Sequence, residues 1–492
     1  MSSSDGLPYS TIILSISLAA FVFETYVSAR QLPHLTCKDV PKTLKPYLAE
    51  LSKASEAEKD KASQLDKDKD ESVTPIHAFW KSQAYSLDKL QFGILTDLFG
   101  QLETICLLTG FLQFFFDIGK HEPNNWTGLK GLWNLAGQLG GSYAQGEIGR
   151  SLVFAGLLTL ISTITSAPFS LIRTFVIEER HSFNKTDLRT WTTDLVKSLV
   201  LTAAIGGPLL AGVLAIIRWA GKTFVLYLLV FVAVLQILVI PAYIYVLAPL
   251  FNTFTPLSAF TDKPDYVNVG QRLIKLANSI RFPLGKVMVV DGSKRSAHSN
   301  AYFIGIPFFP KRVVIFDTLL DQNKPEEVEA VLAHELGHWK LNHTLRMMGS
   351  AQVILLVNLS LISLVLFSPS LYAAFGFRPE MTLAQKYLSL SADPSEHLPI
   401  IVGLMLSQFL LGPLDTLLQF ANNWQSRVME YEADAFAKNL GYAQQLKVGL
   451  IRLMSKNSAV LTYDALYSAF HHSHPTLIER LAALEQIDKK SQ

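Results

Sequence analysis

Residues 331–367 read VLAHELGHWKLNHTLRMMGSAQVILLVNLSLISLVLF, so a metal-binding pattern runs directly into an apolar block. His334 and His338 are four residues apart, and on a helix their side chains project from the same face on successive turns. Neutral imidazoles at this spacing can bind one zinc ion, and Glu335 can reach a metal-bound water as a general base. The stretch therefore predicts a hydrolytic metal centre at the edge of a membrane.

The composition indicates a membrane protein rather than two or three soluble domains. Hydrophobic residues make up 49% of the 492 residues and charged residues only 17%, and the apolar residues occur in long blocks. Blocks of about 20 apolar residues match the hydrocarbon layer of a bilayer, which is roughly 30 Å thick. The net charge of +2, without a basic run, gives no indication of a nucleic-acid partner. Of the two cysteines, Cys106 lies in an apolar block, so we expect no disulfide framework.

Seven membrane-spanning helices are predicted from the apolar blocks. Asp97, Glu103 and Asp415 fall inside them, and carboxylates at such depth usually face a bundle interior or a water-filled cavity. The alternative is that these acids lie nearer the membrane–water interface. The predicted cores of the spans are residues 7–27, 93–117, 151–172, 198–217, 223–250, 347–368 and 399–421.

Lysine and arginine predict the orientation of these spans, because cytosolic loops carry an excess of both. Loop 31–90, loop 251–344 and the tail 425–492 are rich in them, whereas loops 118–148 and 369–398 are poor. We therefore expect an external or lumenal N-terminus and a cytosolic C-terminus, with the metal-binding pattern on the cytosolic side.

The chain divides into four parts on this interpretation. Residues 1–250 carry the first five spans and the charged stretch 53–72, which should be a solvated linker or a polar helix. Residues 251–344 form a cytosolic loop domain that contains the metal-binding helix, and residues 345–424 carry the last two spans. Residues 425–492 form a C-terminal cytosolic part.

The loop domain should combine strands and helices. KVMVVDGS at 286–293 and RVVIFDTLL at 312–320 are rich in β-branched residues and predict strands. NKPEEVEAVLAHELGHWK predicts a helix, with Asn323 as its N-cap, Pro325 in its first turn and Glu326 completing a capping box.

A catalytic zinc ion needs a third protein ligand and an open position for water. The pattern H-E-x-x-H-x-x-G-x-x-H is excluded, because Leu341 and Thr344 stand where it requires glycine and histidine. A helix at 426–440 offers Glu430 and Asp434 on one face, while Glu432 points elsewhere. Glu430 as ligand and Asp434 as hydrogen-bond partner of a ligand histidine would complete a site. The alternative is a solvated acidic helix.

A further cluster lies in SAFHHSHPTLIERL at 468–481. His474 precedes Pro475, so it should lie outside the α region, just before a helix that contains Arg480. A histidine and an arginine near the metal could stabilise a tetrahedral oxyanion. The alternative is that Arg480 pairs with a carboxylate and His474 caps the helix.

His343 should be a surface residue or lie behind the metal ligands.

Several stretches together resemble the CAAX prenyl protease 1 family of integral membrane zinc metalloproteases, over residues from about 20 to about 488. The resemblance implies an all-α membrane protein with a small α+β soluble part. Its seven transmembrane helices would form a barrel around a large chamber, capped by a zinc metalloprotease domain. The matching stretches are FETYVSARQ (23–31), FVIEERHSFNK (175–185), DGSKRSAHSNAYF (291–303), FDTLL (316–320), HELGHWKLNH (334–343), SRVMEYEADAFAKNLG (426–441) and HSHPTLIERL (472–481).

The resemblance also implies an activity, which is removal of the last three residues from farnesylated or geranylgeranylated CaaX proteins, with a second upstream cut in some members. Its zinc ligands would be His334, His338 and Glu430, with one Zn2+ per chain. Glu335 would be the base. Asp434 would support the ligands, His474 and Arg480 would steady the tetrahedral intermediate, and Asn300 would lie at a strand edge where the peptide binds.

One position departs from the expected pattern: Glu432 follows Tyr431 where the resemblance leads us to expect glutamine, and this acid should face away from zinc. Lys489 and Lys490 in the tail KKSQ fit a dilysine retrieval signal. Location in the endoplasmic reticulum membrane, and also in the inner nuclear membrane, would follow. Three alternatives remain: a quality-control metalloprotease of membrane proteins, a transporter or receptor with an inactive metal pattern, and a non-catalytic binder of prenylated tails.

Overall fold

The computed structural model describes residues 8–37, 39, 40, 45, 75–110, 128–294, 299–305, 310–377, 398–456 and 462–486. The charged stretch 53–72, residues 111–117 of the predicted second span and the two lysines of the tail lie outside these residues.

Helices form most of the described chain. Three of them, Glu147–Ile172, Leu188–Leu201 and Phe224–Ala242, continue into π-helical stretches at Arg173–Glu178, Thr202–Gly206 and Tyr243–Leu247. In chain order the described helices are α1 (Tyr9–Leu35), α2 (Pro75–Thr109), α3 (Gly128–Gly140), α4 (Glu147–Ile172), α5 (Leu188–Leu201), α6 (Gly207–Ala220), α7 (Phe224–Ala242), α8 (Ala248–Phe251), α9 (Pro264–Ile280), α10 (Asp317–Gln322), α11 (Pro325–Lys340), α12 (His343–Val365), α13 (Pro369–Ala373), α14 (Ile400–Asn439), α15 (Ala443–Lys456), α16 (Ala465–His471) and α17 (Leu477–Gln486).

Six helical runs in the described part are long and apolar enough to cross a membrane: Tyr9–Leu35, Phe79–Thr109, Glu147–Glu178, Leu188–Phe251, His343–Val365 and Ile400–Asn439. Together they make the chain a multi-pass membrane protein. The run Leu188–Phe251 corresponds to two of the predicted spans.

This run is 64 residues long, and a straight helix of that length would extend about 96 Å, three times the hydrocarbon thickness. Gly221 has a φ of 53°, a conformation that suits glycine, and it ends α6. α6 and α7 pack against each other on either side of it, so the run folds back there. A count of seven spans requires dividing the run at Gly221, and both that count and the barrel stay predictions.

In the described part of the chain, four short strands form one mixed sheet. They are β1 (Phe254–Pro256), β2 (Leu284–Val290), β3 (Ala301–Ile304) and β4 (Lys311–Phe316), in the order β1-β2-β4-β3. β2 and β4 are parallel, whereas β1 pairs with β2 and β3 with β4 in antiparallel fashion. Within the described part of the chain, β3 is therefore an edge strand, and it also packs on α11.

The prediction that residues 312–320 form one strand is wrong beyond Phe316. Asp317 begins α10, and its carboxylate accepts hydrogen bonds from the backbone N–H of Thr318 at 2.8 Å and of Ser293 at 3.0 Å. A carboxylate that accepts from its own following N–H favours a helix start over a continued strand.

The predicted cap of the metal-binding helix is wrong by one residue. Lys324 is the N-cap of α11, and its N–H donates to Glu327 at 3.2 Å, while the side chain of Asn323 donates to the carbonyl of Leu319 at 3.0 Å. Pro325, with its fixed φ, occupies the first helical position, which makes Glu327 rather than Glu326 the partner in the box.

α11 is the central helix of the soluble part. Val328, Leu332 and Leu336 recur every four residues on one side of it, and each is at most 1% exposed. They share a core with Leu273 of α9 and Leu481 of α17. This packing leaves the other side of α11, which carries His334, to form the site.

The stretch FETYVSARQ ties the first membrane helix to the C-terminal part. Arg30 donates to the carboxylate of Asp464 at 3.0 and 2.9 Å, and Gln31 donates to the carbonyl of Thr462 at 3.0 Å. Gln31 also accepts the backbone N–H of Asp464 at 2.8 Å. Since Asp464 caps α16, α1 anchors the segment that leads to His474.

The stretch FVIEERHSFNK has a similar role between two membrane helices. The Tyr85 hydroxyl on α2 donates to Glu178 at 2.7 Å, and Asp88 on the same helix accepts from Arg180 at 2.8 Å. Asp88 also lies 2.9 Å from Nε2 of His181. These contacts hold the end of the π-helical stretch after α4 against α2.

Replacing Leu332 by alanine should lower the melting temperature of the purified protein in detergent. The cavity left in the core around α11 should cost about 2–5 kcal/mol. Val267→Ala is the matched control, because Val267 on α9 is 38% exposed. Intrinsic fluorescence on heating measures both, and equal melting temperatures for Leu332→Ala and wild type would contradict the packing described above.

Candidate metal centre

The site lies where α11 and α14 cross at Gly337, a position where even a Cβ would be crowded. A Cβ on Gly337 would lie 3.1 Å from a ring carbon of Phe436 and 3.2 Å from Cα of Ala433. Such distances are tighter than ordinary van der Waals contact. His334 lies one turn before Gly337 and Glu430 one turn before Ala433, so this contact brings the candidate ligands together.

The structure brings His334, His338 and Glu430 together as predicted from the sequence. The Nε2 atoms of the two histidines are 3.2 Å apart. Oε2 of Glu430 lies 3.4 Å from Nε2 of His334, and its Oε1 lies 3.3 Å from Nε2 of His338. A tetrahedral metal ion with bonds of 2.0–2.2 Å separates its ligand atoms by about 3.3–3.6 Å. The measured distances are close to that spacing, with the two histidines facing different oxygens of Glu430, and one ligand atom from each of the three residues lies within 4.8 Å of the others.

The electrostatics of the cluster also fit a metal ion. Oε2 of Glu430 is buried, receives no hydrogen bond from the residues that the structure describes and lies 3.4 Å from Nη1 of Arg480, so it keeps a lone pair that a metal ion could take. Glu335, Glu430 and Asp434 bring three negative charges, and Arg480 brings one positive charge. A divalent cation would balance the remaining two. Two imidazoles and a carboxylate are also the donor set of catalytic zinc sites that keep a position open for water.

Asp434 supports the first histidine from behind. Its Oδ1 lies 2.9 Å from Nδ1 of His334, and its two oxygens accept hydrogen bonds from Nε and Nη2 of Arg480 at 2.8 and 2.6 Å. With its Nδ1 proton donated to Asp434, His334 keeps the lone pair of Nε2 for a metal. The sequence left two roles open for Arg480, and pairing with a carboxylate is the one that is observed. Nη1 of Arg480 also lies 3.4 Å from Oε2 of Glu430.

His474 lies on the open side of the cluster. Its side chain is 62% exposed, and its Nε2 lies 3.4 Å from Oε1 of Glu430. The alternative that His474 caps α17 is wrong, because Thr476 and Glu479 form the capping box there. The Thr476 N–H donates to Glu479 at 2.7 Å, and the Glu479 N–H donates to the Thr476 hydroxyl at 3.3 Å. The imidazole of His474 therefore takes no part in capping α17.

Glu335 lies between the two histidines on α11. Burial raises the pKa of its carboxyl above the usual range, and the neighbouring imidazoles of His334 and His338 oppose that rise. Such a carboxylate is a suitable acceptor for the proton of an attacking water.

Asn300 lies at the start of β3, exposed to solvent. Its backbone carbonyl accepts the N–H of Phe316 at 3.0 Å, and its side-chain oxygen accepts the N–H of Ala301 at 2.8 Å. It therefore marks the beginning of the edge strand that packs on α11, a position from which an extended peptide could pair with β3.

Of the two positions that the sequence left open for His343, the structure shows the one behind the candidate ligands, whereas its contact partners were not predicted. This residue is 2% exposed, and its Nδ1 lies 2.8 Å from Nδ1 of His338. Its Nε2 lies 2.8 Å from Oε2 of Glu432, so the acid expected to face away from the metal reaches a histidine behind it. Asn342, whose φ of 56° separates α11 from α12, turns the chain so that His343 returns to the site.

A histidine pair and a glutamate on one buried helix, with a second glutamate from a helix that also carries a membrane-spanning segment, form a site suited to metal-dependent hydrolysis in a membrane protein. Residues 31–253 match a family model described as CAAX prenyl protease N-terminal, five membrane helices. Residues 266–488 match the model of peptidase family M48.

Relatives and a solved structure agree with these matches. The chain is 37% identical to CAAX prenyl protease 1 of Saccharomyces cerevisiae over 99% of this chain and 97% of that protein. It is 36% identical to the CAAX prenyl protease 1 homolog of Homo sapiens, over 83% and 86% of the two chains. The crystal structure of S. mikatae Ste24p superposes with a TM-score of 0.80 at 37% identity and covers 97% of this chain and 99% of that one. The chain belongs to the CAAX prenyl protease 1 family.

Replacing Gly337 by alanine should weaken the binding of a divalent metal ion, tested with Zn2+, about tenfold, as changes just outside a ligand shell commonly do. The new methyl group would push α14, and Glu430 with it, away from the histidines. Competition with a chromophoric chelator measures the affinity. Gly349→Ala is the control, because a Cβ there meets nothing within 4 Å; equal affinities for the two variants would contradict the role of the helix contact.

Proposed function

We propose that this protein is a zinc metalloendopeptidase that removes the C-terminal three residues from farnesylated or geranylgeranylated CaaX proteins. The observation that carries the proposal is the cluster of His334, His338 and Glu430 with Glu335 beside it. The names of the relatives supply the substrate class.

The proposed roles follow from the positions of the side chains. His334, His338 and Glu430 hold one Zn2+, which when bound supplies a Lewis acid for the scissile carbonyl. Glu335 takes the proton of the attacking water and passes it to the leaving amine. Asp434 fixes the orientation of His334.

His474 and Arg480 are the proposed oxyanion partners. Both lie 3.4 Å from Glu430, on different oxygens of its carboxylate. Asp434 holds the guanidinium of Arg480 in place, while the exposed imidazole of His474 can adjust to the substrate. Donors placed in advance stabilise developing negative charge without further reorganisation.

We place the peptide along β3, next to Asn300, where main-chain hydrogen bonds to the edge strand would hold it extended. The substrate's prenyl chain is already held at the bilayer, so a metal centre at the membrane edge reaches the peptide without extracting the lipid. The long helix α14 supports this arrangement, because it carries Glu430 out of a membrane-spanning segment.

The wider architecture is proposed on the same basis. Seven spans form a barrel around a chamber, and the four parts of the chain keep the bounds predicted from the sequence. The protein lies in the endoplasmic reticulum membrane and its continuation, the inner nuclear membrane, with a lumenal N-terminus and a cytosolic C-terminus. The alternation of lysine-rich and lysine-poor loops supports that orientation.

Replacing Glu335 by glutamine should abolish turnover of a farnesylated CaaX peptide by at least about 100-fold, because general-base catalysis contributes 10²–10⁴. Zinc content should stay at that of wild type. The products of purified full-length protein are identified by mass. Glu326→Gln, the same change in the first turn of the same helix, should keep activity.

His334→Ala should lose both zinc and activity, and a full zinc content in that variant would remove His334 from the ligand set. No cleavage of the farnesylated peptide by zinc-loaded wild type, with turnover of an unfolded membrane protein, would replace CaaX processing by quality control. Zinc-dependent binding of the peptide without cleavage would support the non-catalytic binder.

A further inference from the structure

The two candidate ligand histidines are supported from behind in different ways. Nδ1 of His334 faces the carboxylate of Asp434 directly at 2.9 Å. Nδ1 of His338 faces another imidazole, with 2.8 Å between it and Nδ1 of His343. The far nitrogen of His343, Nε2, lies 2.8 Å from Oε2 of Glu432. A carboxylate thus stands behind each ligand, once directly and once through a second ring.

When His338 is a metal ligand, hydrogen-bond chemistry allows one arrangement of protons along His338, His343 and Glu432. Two facing ring nitrogens need a proton on one of them. A neutral His338 that offers the lone pair of Nε2 to a metal carries its proton on Nδ1, and this proton must be donated to Nδ1 of His343. His343 then carries its own proton on Nε2, where Glu432 accepts it. Every donor finds an acceptor without a charged ring.

We propose that His343 and Glu432 form a relay that sets the tautomer and ring orientation of His338, so that both are positioning residues of the metal centre. The proposal rests on the proposed function, because it requires His338 to be a ligand. A carboxylate acting through the relay makes His338 a stronger donor to the metal, as a direct carboxylate does for His334.

The backbone around the relay is built to hold it. α11 ends after Lys340, and Asn342, with a φ of 56°, reverses the chain so that His343 begins α12 against α11. His343 is only 2% exposed, so water does not replace its partners. Glu432 follows Glu430 by two residues on α14, which places its carboxylate on a different side of that helix from the ligand and within reach of His343.

A competing explanation is that Glu432 only joins helices. Arg346 on α12 donates to the same oxygen of Glu432, and its side chain is 43% exposed. This ion pair links α12 to α14 without involving any metal ligand. A variant without Arg346 loses this ion pair between α12 and α14 but keeps His343 and Glu432, so it distinguishes the two explanations.

The experiment uses the full-length protein in detergent and compares Glu432→Gln, His343→Leu and Arg346→Leu with wild type. Zinc affinity is measured by chelator competition, and the ligand field is measured by the visible spectrum of the Co2+-substituted protein. Glu432→Gln keeps the size of the side chain and loses its charge. We expect about a 10-fold weaker zinc affinity for Glu432→Gln, 10- to 100-fold for His343→Leu, and a shifted cobalt spectrum for both. Arg346→Leu should change affinity less than twofold.

Two outcomes would overturn the relay. One is wild-type zinc affinity and cobalt spectrum in Glu432→Gln, a half-exposed position whose variant should fold even where His343→Leu does not. The other is an equal loss of affinity in Arg346→Leu and Glu432→Gln, which would assign the effect to the link between helices. Failure of the metal centre itself would be distinct, because wild type and His334→Ala would then bind zinc alike.

Discussion

The close contact between α11 and α14 at Gly337 is the constraint on which the site depends. It lets a carboxylate from one helix come within 3.4 Å of imidazoles from the other. Burying Glu430, Asp434 and Arg480 there is costly, because charges lose their hydration and only good pairing compensates. The two hydrogen bonds between Arg480 and Asp434 offset part of that cost. The net charge of the cluster suits a divalent cation, which would offset more of it.

Membrane helices and catalytic segments form one mechanical unit. α1 holds the segment before α16 through Arg30 and Gln31, and α16 leads to His474 and α17. α14 runs from an apolar membrane-spanning half into the half that carries Glu430 without a break. Glu430 therefore lies on a helix that also carries a membrane-spanning segment, and the segment before His474 is tied to another such helix. Stretches far apart in the chain, such as 23–31 and 472–481, thus meet near the candidate site.

Helical periodicity was sufficient to propose the candidate ligands and their support. His334 and His338 are one turn apart on α11, and Glu430 and Asp434 are one turn apart on α14. Periodicity was insufficient wherever two elements meet. The cap of α11 shifted by one residue because Pro325 determines the first helical position. The role of His343 depends on the left-handed backbone of Asn342, which a helical pattern cannot reveal. Glu432 does point away from the metal cluster, as predicted, yet α12 places a histidine there to receive it.

The order of the ligands along the chain has a consequence for biogenesis. His334 and His338 precede α12, whereas Glu430 follows the apolar half of α14, so two apolar helices long enough to span a membrane separate the first candidate ligands from the last. During synthesis the nascent chain can present the histidine pair, but it cannot complete the metal site until both helices are inserted and α14 has packed on Gly337. The candidate metal site would thus be complete only in a chain whose last two membrane-spanning helices are both in place.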